Sequence, residues 1–235
     1  MKRVSAIILA AALLLGAAVC SGCGEKNEVT AVTMAQQEYP GSNIYEIPRF
    51  EGKGEDAELL NAQLTERLAP YVAGWDAVKA DDTFWYEIKS YPICGERYRQ
   101  VTVTAIEYPN FGTDGDVFSF CYDSKEHRQL TLEDALTAAG VSRETVEAGI
   151  SELMVGYLTE GDLVIDLSFP AFSFSADELY VVARAYIEND LADERDELFV
   201  YNTARGTLSD YTGGQLLPTG LCDRLDPPLH YDRGE

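Results

Sequence analysis

The sequence predicts an α+β fold, with helices packed on one face of a mostly antiparallel sheet. Three observations support this class. A stretch with clear helical spacing is followed by a block rich in β-branched and aromatic residues. Two short segments that begin with helix-capping residues come next. The final third alternates apolar with polar residues, as strands do when one face is buried.

The N-terminus has the features of a secretory signal. Lys2 and Arg3 precede an uninterrupted run of apolar or small residues at positions 4–19. A short basic start, an apolar stretch and small residues near a cleavage site are typical of such a signal. The apolar run barely reaches the ~17 residues that span a bilayer. A simple membrane anchor and a conventional cleaved signal are therefore the weaker alternatives.

The end of this segment resembles that of a bacterial lipoprotein signal. In such signals small residues, here Ser21 and Gly22, precede a cysteine that is lipidated and becomes the new N-terminus. Cys23 is favoured over Cys20, because Val19 is a poor small residue to precede a lipidated cysteine. We therefore expect residues 1–22 to be a lipoprotein signal peptide and Cys23 to be the lipidation site.

The remaining 213 residues are enough for one domain or a small pair, at ~150 residues per domain. Residues that follow Cys23 are polar, lack an apolar period and are expected to form a mobile tether. A boundary near residue 110 would divide the domain into two subdomains, 43–110 and 111–211. The predicted organisation is a tether at 23–42, the α+β domain at 43–211 and an irregular tail at 212–235.

The chain is strongly acidic, with a net charge of −22. Loss of Lys2 and Arg3 with the signal leaves 16 basic against 40 acidic residues, a net charge of −24. Nucleic acid is not an expected partner, because phosphate binding needs a basic face. A negative field attracts cationic proteins or metal ions. The alternative is that the charge serves only solubility, and composition alone favours that alternative.

The cysteine content excludes a disulfide-stapled small domain. After Cys23 the chain holds Cys94, Cys121 and Cys222, so at most one bridge forms and one thiol is left over. Export permits disulfides, but their pattern cannot be read from three cysteines. No CxxC pair follows Cys23, and a cysteine-based metal site is not expected.

The first elements are a short strand and a long helix. A strand at 43–47 is expected to end at Pro48. Residues 55–75 have a helical period, and Pro70 should stop or kink the helix near residues 68–69. The apolar stripe is expected to be core and comprises Leu59, Leu60, Leu64, Leu68, Tyr71, Val72 and Trp75.

The middle of the chain is predicted to be strands followed by two helices. Strands are expected at 83–88, 98–108 and 116–123, with a long turn at 109–115 and a polar turn at 123–127.

Capping residues mark the two helices. Thr131 is a predicted N-cap with Asp134 three residues on, Gly140 ends that helix, and Ser142 caps the next. The inward stripe of the second helix is expected to comprise Val146, Ile150, Leu153, Met154, Tyr157 and Leu158.

The final third is predicted to be strands. An alternating strand is expected at 163–169, in which Leu163, Ile165, Leu167 and Phe169 alternate with Val164, Asp166 and Ser168. Residues 179–187 form a nearly continuous apolar run, which predicts a strand covered on both faces. A strand at 198–201 would close a hairpin across a loop at 188–197.

No motif in the sequence predicts a catalytic residue, a metal site or a cofactor. GxSxG and HExxH are absent, and the two histidines, His127 and His230, lie in a turn and in the tail. The segment 188–197 holds six carboxylates, which could coordinate calcium, but EF-hand spacing and its central glycine are missing. A solvated acidic loop is the favoured interpretation.

Two features leave an enzymatic alternative open. With 40 acidic residues some carboxylates must lie close together, although sequence cannot select a catalytic pair. Trp75, Trp85, Tyr86 and Tyr91 could stack on sugar, but are rather expected to fill the core.

A set of short segments occurs in a recognisable order, at residues 47–50, 60–64, 101–108, 118–123 and 130–136. Together they resemble the extracellular domain of RsiV-type anti-sigma factors. The same domain occurs in PdaC-type peptidoglycan deacetylases and in uncharacterised exported proteins of Gram-positive bacteria. The likeness spans residues 43–201, and RsiV itself binds lysozyme. We expect neither the sigma-binding segment of RsiV nor the catalytic domain of the deacetylases in this chain, and the resemblance assigns no ligand-contacting residue.

The resemblance and the absence of catalytic motifs predict a non-catalytic binding or sensing module. We expect it to be held on the outer face of the cell membrane by acyl chains, such as palmitate, on Cys23. Its expected ligand is a cationic protein, with lysozyme as the most specific candidate, or peptidoglycan. The alternatives are a cell-wall hydrolase that uses paired carboxylates and an accessory subunit of a membrane complex.

Overall fold

The computed structural model describes residues 28–39, 43–78, 85–108, 114–175, 177–189 and 192–210. The α+β class is confirmed. The described strands form two sheets instead of one, with orders β1-β2-β3-β4-β5-β6 and β10-β9-β8-β7. Neighbouring strands are antiparallel except β2 and β3.

The strands of the first sheet are β1 (Glu28–Tyr39), β2 (Asn43–Lys53), β3 (Trp85–Cys94), β4 (Tyr98–Tyr108), β5 (Asp114–Asp123) and β6 (Arg128–Gln129). Those of the second sheet are β7 (Asp162–Ser175), β8 (Glu178–Asn189), β9 (Ala192–Asn202) and β10 (Thr207–Asp210). The described helices are α1 (Glu55–Val78), α2 (Leu132–Ala139) and α3 (Arg143–Met154).

The prediction of a tether at 23–42 is wrong for β1, which pairs along its length with β2. Val29 and Val32 are both buried against α1, although they are three positions apart. A register shift between Val29 and Ala31 brings both side chains to the same face. The bulge interrupts the two-residue alternation of inward and outward side chains. The sequence pattern therefore does not predict a strand in this segment. The signal peptide and Cys23 lie outside the described residues.

Strand β2 does not end at Pro48. Side chains from other elements form hydrogen bonds with the backbone along the strand edge on which the proline lies. The Phe50 amide donates to Oδ1 of Asn61, and Nδ2 of Asn61 donates to the Phe50 carbonyl, both at 2.8 Å. On the same edge Ser90 Oγ donates to the Glu46 carbonyl at 2.6 Å. Alternate residues of a strand direct their backbone groups to the same edge. The N–H that Pro48 lacks is therefore not needed for pairing with β1.

Helix α1 also continues through its proline, as far as Val78. Pro70 and Glu66, the residue whose carbonyl loses its helical partner, are both exposed, so water can satisfy that carbonyl. Leu60, Leu64 and Leu68 are buried as predicted. Leu59 and Val72 are not, with exposed fractions of 57% and 37%. None of the described helices is both long and apolar enough to cross a membrane.

The first core lies between α1 and one face of β4 and β5. Strand β4 has the predicted bounds, and β5 begins two residues earlier than expected. Phe118, Phe120 and Tyr122 point to α1 together, as the alternation predicts. Pairing of β4 with β5 also places them in one sheet. A subdomain boundary near residue 110 is therefore wrong, and the change of sheet falls between β6 and β7.

The predicted helix caps are confirmed. The Asp134 amide donates to Thr131 Oγ1 at 3.2 Å, and the Thr131 amide donates to Asp134 Oδ2 at 2.9 Å. Hydrogen bonds from Thr131 lower the pKa of Asp134 to about 2. Gly140 ends α2 with a φ of 70°, and Ser142 Oγ accepts from the Thr145 amide at 3.2 Å.

Helix α3 ends earlier than the predicted stripe. Val146, Ile150 and Met154 are buried, but the helix stops at Met154 and Leu153 is 37% exposed. The two residues predicted beyond that point still contribute to packing. The ring of Tyr157 meets Phe199 edge-on at 5.4 Å, and Leu158 packs on the second core.

The predicted alternation at 163–169 does not hold throughout β7, where Leu163 and Ile165 are 61% and 47% exposed. A register shift between Val164 and Asp166 makes Ile165 a bulge. Val164 and Leu167 therefore pack together on the second core, although they are three positions apart.

Strand β8 is covered on both faces, as predicted. One face contributes to the core beneath α2 and α3, and the other contributes Val182 to a cluster with Tyr91 and Val117 of the first sheet. The predicted hairpin with β9 is present, but the loop at 188–197 is not. Register pairs extend to Asn189 and Ala192, so most of the acidic segment is strand.

The two sheets meet where β7 lies on the first sheet. The buried Gln100 side chain of β4 binds both backbone groups of Phe174. Its Oε1 accepts from the Phe174 amide at 2.9 Å, and its Nε2 donates to the carbonyl. Beside it the Phe172 amide donates to Ser119 Oγ at 2.9 Å, and the rings of Tyr98 and Phe174 stack at 4.2 Å.

Replacement of this amide tests its structural role. Gln100→Leu should lower the free energy of unfolding by about 2–4 kcal/mol, because two backbone groups lose their partners in a buried place. The measurement is urea unfolding. The matched control is Gln63→Leu on α1, where the half-exposed amide bonds no described residue and the change should stay within about 0.5 kcal/mol. Equal losses in both variants would contradict the role of Gln100.

Candidate functional site

The outer part of β7, β8 and β9 carries an acidic face, which we define by Asp166, Tyr186, Glu188, Glu194 and Asp196. Tyr186 is at its centre, since its register partners are Asp166 on β7 and Asp196 on β9. Directly opposed residues of antiparallel strands project on the same side. Glu188, two residues further along β8, projects on that side as well.

The Tyr186 hydroxyl donates a hydrogen bond to Oε2 of Glu194. This bond adds Glu194 to the acidic face as its fourth carboxylate. That hydrogen bond, burial and the charges of Glu194, Glu188 and Asp196 raise the pKa of Tyr186 to about 12. Ionising the phenol among these carboxylates would add a further negative charge to the cluster. The raised pKa therefore reflects chiefly the hydrogen bond to Glu194, and the neighbouring carboxylates act in the same direction.

The carboxylates of the acidic face lack cationic partners among the described residues. Asp166, Glu188 and Asp196 are exposed, and none of them forms a salt bridge with a residue that the structure describes. Arg184 projects on this side two residues before Tyr186, but its guanidinium lies 4.0 Å from Asp116 of β5. Like charges on adjacent strands repel each other. An arriving cation would relieve that repulsion.

A partly buried ion-pair network supports the opposite side of the same strands. Arg195 binds Asp162 through two nitrogens, at 2.6 and 3.0 Å, and Glu197 through Nε at 2.7 Å. Asn189 Nδ2 and the Thr159 amide also donate to Asp162, at 2.6 and 2.7 Å. These bonds hold the pKa of Asp162 far below its usual range. They fix the ends of three strands, so the acidic face has a rigid base.

An exposed apolar side chain adjoins the carboxylates. Leu163 is the register partner of Glu188 and therefore projects on the acidic face. With 61% of its surface exposed, it offers apolar contact area next to the charges. Apolar contact within a polar rim is a common feature of protein–protein interfaces.

A second concave feature, the α1 groove, lies between α1 and β5. It has a volume of about 420 Å³ and is lined by Gln63, Glu66, Arg67, Pro70, Tyr71, Asp116 and Phe120. The Arg67 guanidinium binds Asp116 and lies 5.2 Å from the centre of the Phe118 ring. The groove therefore combines an ion pair with aromatic surface.

The structure places the other predicted candidates as follows. Tyr91 is buried between the sheets, which confirms the core interpretation for this residue. The side chains of Trp75, Trp85 and Tyr86 lie outside the described part, as do Cys222 and His230. Cys94 is exposed and Cys121 is buried, and neither is bonded to another described cysteine. Among the described residues no group of carboxylates, histidines or cysteines is arranged to hold a metal ion.

Five described carboxyl groups have shifted pKa values, and each is lowered. The lowering is caused by hydrogen bonds that build turns, helix caps or ion pairs. At Asp123 the largest single influence is burial, which raises the pKa, and the hydrogen bonds together outweigh it. A general acid needs the opposite, a raised pKa. These groups are therefore poorly suited to act as general acids, and they are Asp123, Asp134, Glu144, Asp162 and Glu178.

Sequence reasoning found the acidic segment but missed the face that it forms. Glu188 follows Tyr186 by two residues, as Asp196 follows Glu194, and this spacing indicates a shared side once the segment is read as strand. The addition of Asp166 could not be foreseen, because it depends on the bulge at Ile165. The α1 groove was missed because it is formed by a helix and a strand about 50 residues apart.

No protein-family model matches the chain, and no curated protein matches it. A crystal structure of a DUF3298 family protein from Pseudomonas aeruginosa PAO1 is similar over 70% of this chain and 88% of its own, with a TM-score of 0.41 and 9% sequence identity. We base no argument on so low a similarity. The resemblance to RsiV-type domains stays a prediction.

The potential of the acidic face can be measured through its tyrosine. Tyr186 should ionise near pH 12, and Glu194→Gln should lower its pKa, because the variant removes the accepting carboxylate. Since the folded-state pKa is raised, this bond stabilises the fold below pH ~10 and its contribution is lost as the pH rises towards 12. Carbon NMR of the labelled phenol follows the titration. The control Glu58→Gln on α1 should leave it unchanged, and an unshifted pKa in Glu194→Gln would contradict the assignment.

Proposed function

We propose that this chain is a non-catalytic binding module, anchored by lipid on Cys23 to the outer face of the cell membrane, and that its acidic face binds a cationic protein. The observation that carries the proposal is the acidic face itself. Four carboxylates surround Tyr186 on three adjacent strands, and three of them have no described ionic partner. Such a surface is complementary to a basic one.

The charge of the whole chain supports the same partner. A net charge of −22, or −24 without residues 1–22, speeds the encounter with a cationic protein at low salt. Exposed charges are screened within about 10 Å at 0.1 M salt, so the encounter should depend on ionic strength. Leu163 would add contact area that salt does not weaken.

The sequence features at the N-terminus support the anchor. Residues 1–22 have the order of a lipoprotein signal, and Cys23 follows two small residues. Two acyl chains on one cysteine are enough for stable attachment to a membrane. The proposed module would thus meet proteins that approach the cell from outside.

Lysozyme is the sharpest probe of the acidic face. The triple variant Asp166→Asn, Glu188→Gln, Asp196→Asn should bind lysozyme about tenfold more weakly at low salt. Three exposed charge contacts of roughly 0.5 kcal/mol each correspond to that loss. Titration calorimetry at low and at moderate salt measures the effect.

The control triple variant has the same net charge but leaves the acidic face intact. It is Glu58→Gln, Glu96→Gln, Glu152→Gln, three exposed positions on other elements. Its binding should fall much less, because only the general field has changed. Equal weakening in both variants would assign the attraction to net charge alone. Absence of salt-sensitive binding in the unaltered chain would remove the cationic-protein proposal.

The anchor is tested by mass spectrometry of the protein extracted from membranes. We expect the mature chain to begin at Cys23 and to carry the mass of its acyl chains. Cys23→Ala should give a protein that lacks this mass and leaves the membrane fraction. An unaltered protein without acyl mass that salt washes off the membrane would contradict lipidation.

A further inference from the structure

The α1 groove is an open groove with the volume of a ligand site. Its volume of about 420 Å³ lies within the range of about 300–1,000 Å³ that is usual for small-molecule sites. Arg67 and Asp116, which bind each other, connect the helix side of the groove to β5. Arg67 also packs on the Phe118 ring, so both walls are held in place.

One side of the groove offers several hydrogen-bonding groups. Gln63, Glu66 and Arg67 are three and four residues apart on α1 and therefore lie along one side of the helix. They present an amide, a carboxylate and a guanidinium, which together donate and accept hydrogen bonds. Gln63 and Glu66 form no hydrogen bond with a described residue; Gln63 is partly exposed and Glu66 is exposed. A ligand rich in hydroxyl or amide groups could bind both.

Aromatic rings supply the apolar part of the groove. Phe120 is 9% exposed and forms part of the first core, against which Tyr71 packs while remaining partly exposed. A rigid aromatic surface beside polar groups suits a ligand with one apolar and one polar side. Sugar rings have this character, with C–H groups on a face and hydroxyls at the rim.

The local charge favours an uncharged ligand. Arg67 binds Asp116, and Arg184 lies 4.0 Å from the same carboxylate. With Glu66, the groove region thus holds two acidic and two basic groups on a chain of net charge −22. A strongly cationic ligand would gain more at the acidic face, and an anionic one would be repelled by the chain as a whole.

We propose that the α1 groove binds a short uncharged saccharide. A sugar face would lie on the partly exposed ring of Tyr71, with Phe120 buried behind it, and the hydroxyl or amide groups of the sugar would bond Gln63 and Glu66. This site is separate from the acidic face and does not depend on the cationic partner proposed above.

The test is titration of the full chain with neutral chito-oligosaccharides and cello-oligosaccharides, followed by calorimetry. The variant is Gln63→Ala, Glu66→Ala, since alanine preserves an exposed helix. It should bind at least about tenfold more weakly, as expected when two hydrogen bonds to a ligand are lost. The control Glu58→Ala, Thr65→Ala alters two exposed positions of α1 that do not line the groove, and it should bind as the unaltered chain does.

Three results would overturn the saccharide site. The first is the absence of saturable binding of either sugar at millimolar concentration. The second is an equal loss in the variant and its control, which would reflect the helix instead of the groove. The third is a loss of lysozyme binding without any change in saccharide binding, which would make the groove part of a protein interface. The acidic-face triple variant should leave saccharide binding unchanged, so the two proposals can fail independently.

Discussion

The architecture depends on side-chain amides that form the backbone hydrogen bonds which a neighbouring strand would otherwise form. Gln100 binds both backbone groups of Phe174 on β7, as Asn61 does for Phe50 on β2. A strand edge that is buried without partners would cost free energy for every unsatisfied group. Because Gln100 satisfies this edge, β7 can lie directly on the first sheet, with Tyr98 stacked on Phe174. The second sheet can then extend outward from that contact.

The position of the acidic face follows from this contact. The second half of β7 is buried against the first sheet, whereas its first half projects beyond it and exposes Leu163 and Ile165. The outer parts of β8 and β9 project with it. On one side of this extension Arg195 pairs with Asp162 and Glu197, and on the other the carboxylates form no salt bridge with a described residue. The fold thus holds like charges together on a surface that its own packing does not need.

Local sequence signals determine what could be predicted. The caps at Thr131 and Ser142 and the regular alternation in β4 are set by neighbouring residues, and all were found. The errors at β1 and β7 share one cause, since a bulge shifts the period that sequence reading relies on. Continuation through Pro48 depends on Asn61, which comes from another element. The acidic face was foreseen only as charge, because its shape requires the register of three strands.

The two proposed sites differ in charge although they are close in the fold. Arg184 projects on the side of the acidic face, but it contributes its charge at Asp116, beside the α1 groove. This cation therefore adds to the balance of charge beside the groove, where two basic groups accompany two acidic ones. The acidic face forms no salt bridge with a described residue, so the two surfaces differ in local charge. Net charge alone would assign the same partner to both, and the strand register explains why their partners should differ.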